Sequence, residues 1–140
     1  MVKPMRIPQP EAKKGRRFDA QAPDDASKQT IAFSLERVLP GDYCFSELCK
    51  DDKAQVAEAM FRRRAMTWND VTLAPKHGLG TEKIPKGQIH APLPVFITED
   101  ITDFLVLRFN GKKPMVGYRQ GRIYYVLWFD HNFSLYNHGR

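Results

Sequence analysis

A chain of 140 residues with 22 Lys+Arg against 16 Asp+Glu, a formal charge of +6 and 42% hydrophobic residues has the size and apolar content of one self-sufficient domain. Its longest apolar run, at residues 123–129, is far too short to cross a bilayer, and no apolar segment follows the basic N-terminal residues. Both points argue against a membrane protein or a secretory leader, and predict a cytoplasmic protein with no membrane partner.

Residues 1–28 hold Pro4, Pro8, Pro10 and Pro23 around the basic run Lys13-Lys14-Gly15-Arg16-Arg17, with scarcely any apolar periodicity. They read as a flexible basic arm ahead of a single α+β domain at 29–140. The cluster of Lys13, Lys14, Arg16 and Arg17 is either an electrostatic foot on nucleic acid or a solvated tail. Ile31, Phe33 and Leu35 then alternate with Ala32, Ser34 and Glu36, the period of a half-buried strand, which Pro40-Gly41 ends.

Cys44 and Cys49 are too few for a disulfide framework and read as packing residues. Val56, Ala57, Met60 and Phe61 recur at helical spacing opposite Lys53, Glu58 and Arg62 to Arg64, so residues 51–66 predict an amphipathic helix capped by Asp51 or Asp52. Thr67-Trp68-Asn69-Asp70 has the form of a capping box for a second, short helix that Pro75 and Gly78 stop. Residues 76–94, with three glycines, three prolines and no periodicity, read as a long loop.

The C-terminal third is the clearest stretch. Phe104 to Phe109, Met115 to Arg119 and Ile123 to Phe129 are strand-like runs punctuated by Asn110-Gly111 and Gln120-Gly121, which predicts an antiparallel β-meander. The last run is apolar on both faces and belongs inside the sheet, with Ile123, Tyr125, Leu127 and Phe129 on one side and Tyr124, Val126 and Trp128 on the other. A further short strand is expected around Phe133 to Tyr136. The fold class is therefore α+β: an N-terminal strand, two helices, then an antiparallel meander of three to four strands.

No nucleophile elbow, P-loop, dinucleotide fingerprint or HExxH is present. His77, His90, His131 and His138 lack paired metal-ligand spacing, so neither a metal nor another cofactor is expected. What the meander gathers is a set of cations and proton-transfer groups. Arg108 lies in its first strand, Arg119 and Arg122 flank its second hairpin, Tyr136 and His138 follow its end, and Lys76, His77, Lys83 and Lys86 line the loop before it. Such groups suit RNA cleavage by its own 2′-hydroxyl, which needs a base for that hydroxyl, cations for the crowded phosphate and an acid for the 5′-oxygen. The same basic residues also serve as a solvated face, and tyrosines near a strand end often pack on the core edge.

A strand, two helices and a meander running through Leu107-Arg108-Phe109, Met115 to Arg119, Ile123 to Asp130 and Leu135-Tyr136-Asn137-His138 resembles the RelE/ParE/HigB superfamily of small basic bacterial toxins. The resemblance implies an endoribonuclease that cuts messenger RNA on or off the ribosome and is neutralised by a cognate antitoxin. It assigns Arg108 and Arg119 to the scissile phosphate, Tyr136 or His138 to acid or base, and Lys83 to the lysine such toxins often carry. Lys76, His77, Lys86 and Arg122 then serve as nucleic-acid contacts. The chain departs from the pattern in its arm, its longer loop and Asp130-His131-Asn132-Phe133 in place of a G-H-R run. The competing expectation is a non-enzymatic module, phage-borne or carried by a mobile element, that holds nucleic acid or protein with the same basic surface.

Overall fold

In the computed structural model, which describes residues 26–138, the chain forms one five-stranded mixed sheet with helices on one face and long loops on the other. In chain order the elements are β1 (Ala32–Ser34), α1 (Lys50–Arg62), α2 (Trp68–Leu73), β2 (Glu82–Pro85), β3 (Asp103–Asn110), β4 (Lys113–Gln120) and β5 (Ile123–Phe129). The spatial order is β1-β5-β4-β3-β2. The α+β class, the two helices and the meander stand, with one qualification: β1 pairs with β5 in parallel, while β2 to β5 run antiparallel.

The fourth meander strand is not the one expected. It is β2, from within the supposed loop, where Glu82 to Pro85 pair with Val106 to Asp103. The stretch Phe133–Tyr136 forms no strand, because Phe133 takes a left-handed φ of 60° and the Asp130 carboxylate accepts from the Ser134 and Leu135 amides, folding the chain into a turn. Residues 1–25, which include Lys13, Lys14, Arg16 and Arg17, lie outside the described residues. Ser27, assigned to the arm, accepts from Arg119 on β4.

Helix α1 starts one residue earlier than the sequence suggests. Its N-cap is Cys49, whose exposed sulfur accepts from the Asp52 amide at 3.5 Å, so this cysteine caps rather than packs. Asp51 and Asp52 instead occupy the first turn, where negative charge favours the helix dipole. The buried stripe is Asp52, Val56, Ala59 and Arg63, a spacing of four, three and four; Ala57 and Phe61 face solvent. Arg63 therefore turns inward, against the expectation that the whole arginine run lies on the polar side. The capping box of α2 is complete: Thr67 Oγ1 accepts from the Asp70 amide at 3.1 Å and Asp70 Oδ2 from the Thr67 amide at 3.0 Å.

Two glycine turns close the hairpins, Gly111 at φ 61° and Gly121 at φ 63°, the left-handed geometry that short hairpin loops demand. A bulge then resets the faces of β5. Val116 pairs with Trp128 and Gly117 with Val126, leaving Leu127 as the extra residue. Beyond it the alternation inverts: Trp128 joins Tyr125 and Leu127 on the loop side, and Phe129 joins Tyr124 and Val126 on the helix side. Strict alternation put Trp128 with Tyr124; the bulge is the reason it does not hold. A Cβ at Gly117 would meet the Tyr125 carbonyl oxygen at 2.0 Å, so only glycine permits this crossing.

The sheet thus separates two cores. On the helix side Val56, Ala59, Trp68 and Val71 close over Leu107, Phe109, Tyr124 and Phe129. On the other, Ile84, Phe104, Val116, Leu127 and Trp128 lie beneath the segments 39–43, 89–101 and 131–138, the last of which buries Leu135 against them. These segments are fastened by His90 N to Leu135 O at 2.7 Å and Phe129 N to Tyr43 O at 2.8 Å.

Candidate active site

At the β2–β3 edge of the loop-covered face lies a cleft of about 780 Å³. Arg108 reaches it from β3, where a second bulge, at Phe109, sits beside that arginine; Lys83 borders it on β2, but pairs with Leu105, whose side chain faces the helices, and with Arg119 also lines a smaller hollow of about 280 Å³. Lys76 and His77 enter from the turn after α2, and Tyr136 and His138 from the segment after β5. Six residues singled out in the sequence, far apart along the chain, so share one cavity. The topology explains the gathering: β2 forms the open edge, and the turn at Asp130 returns the tail to it.

The hydrogen bonds fix which nitrogen of each imidazole is engaged. Arg108 Nη1 lies 3.0 Å from His77 Nδ1, and since guanidinium only donates, that nitrogen accepts and the ring proton is on Nε2. His138 Nε2 lies 2.7 Å from Asp130 Oδ2; the carboxylate accepts, so Nε2 carries a proton and Nδ1 is the ring nitrogen that this bond leaves unengaged. Asp130 is fully buried, and its other oxygen is held by the Ser134 and Leu135 amides. It therefore orients His138 as a fixed anion, the arrangement by which a carboxylate sets the tautomer of a general base.

Tyr136 stacks on His138 with ring centroids 4.0 Å apart, and Phe133 meets the same imidazole edge-on at 5.2 Å. Burial raises the Tyr136 hydroxyl well above its ordinary value of 10, with Glu82 and Asp130 adding to the shift and Arg108 opposing it. The phenol stays protonated at neutral pH. It can hold His138 in place or donate a hydrogen bond, but it makes a poor base. Among the described residues lining the cleft the one carboxylate is Glu82, which pairs with Lys76 at 3.6 Å. Lys83, Arg108 and Lys112 have no carboxylate partner among the described residues, which leaves the cavity cationic.

The other candidates lie elsewhere. Arg119 stands five residues along β4 from Pro114, the register partner of Arg108, or about 17 Å by strand rise. It donates to Gly121 O at 2.8 Å, lies over the Trp68 ring at 4.5 Å, and its pKa is lowered by burial. Arg122 is spent on Thr30, through the carbonyl and the hydroxyl at 3.0 Å each. Lys86 donates to Thr98 O at 3.2 Å. None of the three joins the cleft.

Sequence reading passed over Asp130, which looks like an ordinary turn acid after an apolar strand, and Lys112, in a hairpin turn. Among the described residues no group of three or more His, Cys, Asp or Glu is placed to hold a metal ion, and no helix is long and apolar enough to cross a membrane. Compared with family profiles, curated proteins and solved structures, the chain has no match in any of the three.

Proposed function

We propose that the protein is a toxin-like, cytoplasmic endoribonuclease that cleaves RNA without a metal, using the RNA's own 2′-hydroxyl as nucleophile. One observation carries the reading: a histidine held by a buried carboxylate shares a cationic cleft with a second histidine that is bonded to an arginine. His138 Nδ1 takes the 2′-hydroxyl proton, and the 2′-oxygen attacks phosphorus. Arg108, drawn from His77 onto the phosphate, stabilises the added negative charge. His77, released from the arginine and beside the phosphate, takes up a proton at Nδ1 and gives the one on Nε2 to the departing 5′-oxygen. The products are a 2′,3′-cyclic phosphate and a 5′-hydroxyl. Tyr136 is a positioning residue that keeps the His138 ring in its stack.

Induced expression in a bacterial host, with the 5′ ends of cellular RNA mapped, tests this directly. The expected result is arrested growth and new 5′-hydroxyl ends, both lost in His138→Gln and in Arg108→Gln. Purified protein should cut RNA in the presence of EDTA. Intact RNA with unimpaired growth would overturn the reading.

A second reading, a non-enzymatic binding module, is favoured by the exposed apolar run Leu93-Pro94-Val95-Phe96, in which Val95 is 99% exposed. Apolar side chains left in water at this density suit a protein partner. In the toxin reading that partner is an antitoxin. In the binding reading a complex forms with no cleavage products, and its salt dependence follows the phosphates contacted.

A further inference from the structure

Beside the cleft, at the C-terminal end of α1, is a separate notch of about 250 Å³ lined by Arg62, Arg63, His77 and Arg108, with the backbone of Gly78-Leu79 and Gly111 at its rim. His77 and Arg108 belong to both cavities, so the two adjoin at these side chains. Arg63, the floor of the notch, is 1% exposed. Its guanidinium donates only to carbonyls: Nε to Leu79 at 3.0 Å, Nη1 to Ala59 at 2.9 Å and Nη2 to Arg108 at 3.3 Å. No carboxylate among the described residues neutralises it, and burial, with the charge of Arg62 adding, lowers its pKa to about 10. Arg62 is exposed and has no hydrogen bond or carboxylate partner among the described residues.

Three guanidinium groups around a small notch repel one another, and a buried charge without a counter-ion is costly. An anion relieves both penalties. The forked donors of arginine match phosphate oxygens, and a backbone carrying phosphates in series can place one in the notch and the next beside Arg108 in the cleft.

We propose that this notch seats a second phosphate of the RNA strand, next to the scissile one, so that the strand crosses β3 from the His138 side to the end of α1. The inference rests on the nuclease reading for its choice of RNA, and its test does not depend on cleavage. A fluorescein-labelled ten-nucleotide deoxyribo strand lacks the 2′-hydroxyl and binds without being cut by this mechanism; its affinity is read by anisotropy across a salt series. Arg62→Ala is expected to reduce the slope of log affinity against log salt by about 0.7, the share of one single-strand phosphate contact. Arg62→Lys retains the slope, and Lys50→Ala, at the opposite end of α1, leaves it unchanged. An unaltered slope in Arg62→Ala, or an equal loss in Lys50→Ala, overturns the proposal. Protein that leaves RNA intact but shows the Arg62-dependent slope sinks the nuclease reading and keeps the notch. Protein that cuts RNA with no Arg62-dependent slope does the reverse.

Discussion

The two faces of the sheet are covered by different means, and only one is left open. On the helix side α1 and α2 lay Val56, Ala59, Trp68 and Val71 over Leu107, Phe109, Tyr124 and Phe129, and Trp68 is sealed in with its indole nitrogen bonded to Arg122 O at 2.9 Å. The other face is roofed by loops, which carry their own polar backbone and cannot interlock as closely. Its apolar centre is buried all the same, and the gap at the β2 edge is where the cations and imidazoles collect. A helix-covered face stabilises; a loop-covered face leaves room for chemistry.

The change expected to damage both faces most is Gly117→Ala. The new methyl would lie 2.0 Å from a backbone oxygen of β5, which cannot move aside as a flexible side chain would. Either the β4–β5 pairing opens or the bulge shifts, and with it the assignment of Trp128 and Phe129 to their cores. A loss of about 3 kcal/mol or more is expected in urea unfolding, the upper range for overpacking. A cost under about 1 kcal/mol would mean that the close approach at Gly117 does not hold the bulge that assigns Trp128 and Phe129 to their cores.

The next largest effect tests the open face alone. His138→Gln should reduce RNA cleavage by about 10²- to 10⁴-fold, the usual contribution of a positioned general base. Asp130→Asn should produce a smaller loss, because the asparagine keeps the turn but holds the imidazole less firmly than the carboxylate does. Stability of the His138 variant should match wild type in urea; a rate loss explained by unfolding would assign His138 to structure rather than chemistry.

The same contrast governs what could be read from the sequence. The meander was legible because Ile123 to Phe129 is unbroken and apolar, and because Gly111 and Gly121 fall where hairpins need a left-handed residue. The capping box at Thr67 was legible for a similar reason: its signal is local. Strand β2 was not, since among Glu82 to Pro85 only Ile84 is buried, and pairing with β3 is what makes the segment a strand. The tail misled, because Phe133 to Tyr136 looks extended until the Asp130 carboxylate is seen to cap a turn. Six candidate site residues converge because they flank one sheet edge, while Arg119 shares their chemistry and sits at the other end of its strand. The inward turn of Arg63 was hidden among three consecutive arginines, where only helix phase tells which one faces the sheet. That phase is written in Asp52, Val56 and Ala59, but with an aspartate at its head the stripe does not look apolar.

The smallest expected effect sharpens the account of the sealed face. Asp52 is 3% exposed at the rim of the helix-side core, taking Asn110 Nδ2 at 2.8 Å and Lys113 Nζ at 3.0 Å on one oxygen. Burial alone would raise its pKa; the bonds from Asn110 and Lys113 outweigh it, and the carboxyl titrates below its ordinary value of 3.8. As the folded pKa is the lower one, the unfolded chain takes up the proton first on acidification. The stabilisation is therefore complete above the ordinary carboxylate value and is lost as pH falls below it, through the folded pKa. Asp52→Asn should cost about 1 kcal/mol at neutral pH, a modest figure because Lys113 is partly exposed and solvates its own charge. The same substitution should flatten the acid limb of a stability–pH curve measured by urea unfolding. If Asp52→Asn leaves that limb as steep as in wild type, the acid sensitivity belongs to carboxylates elsewhere, and the α1–β3 junction is held by apolar contact rather than by this ion pair.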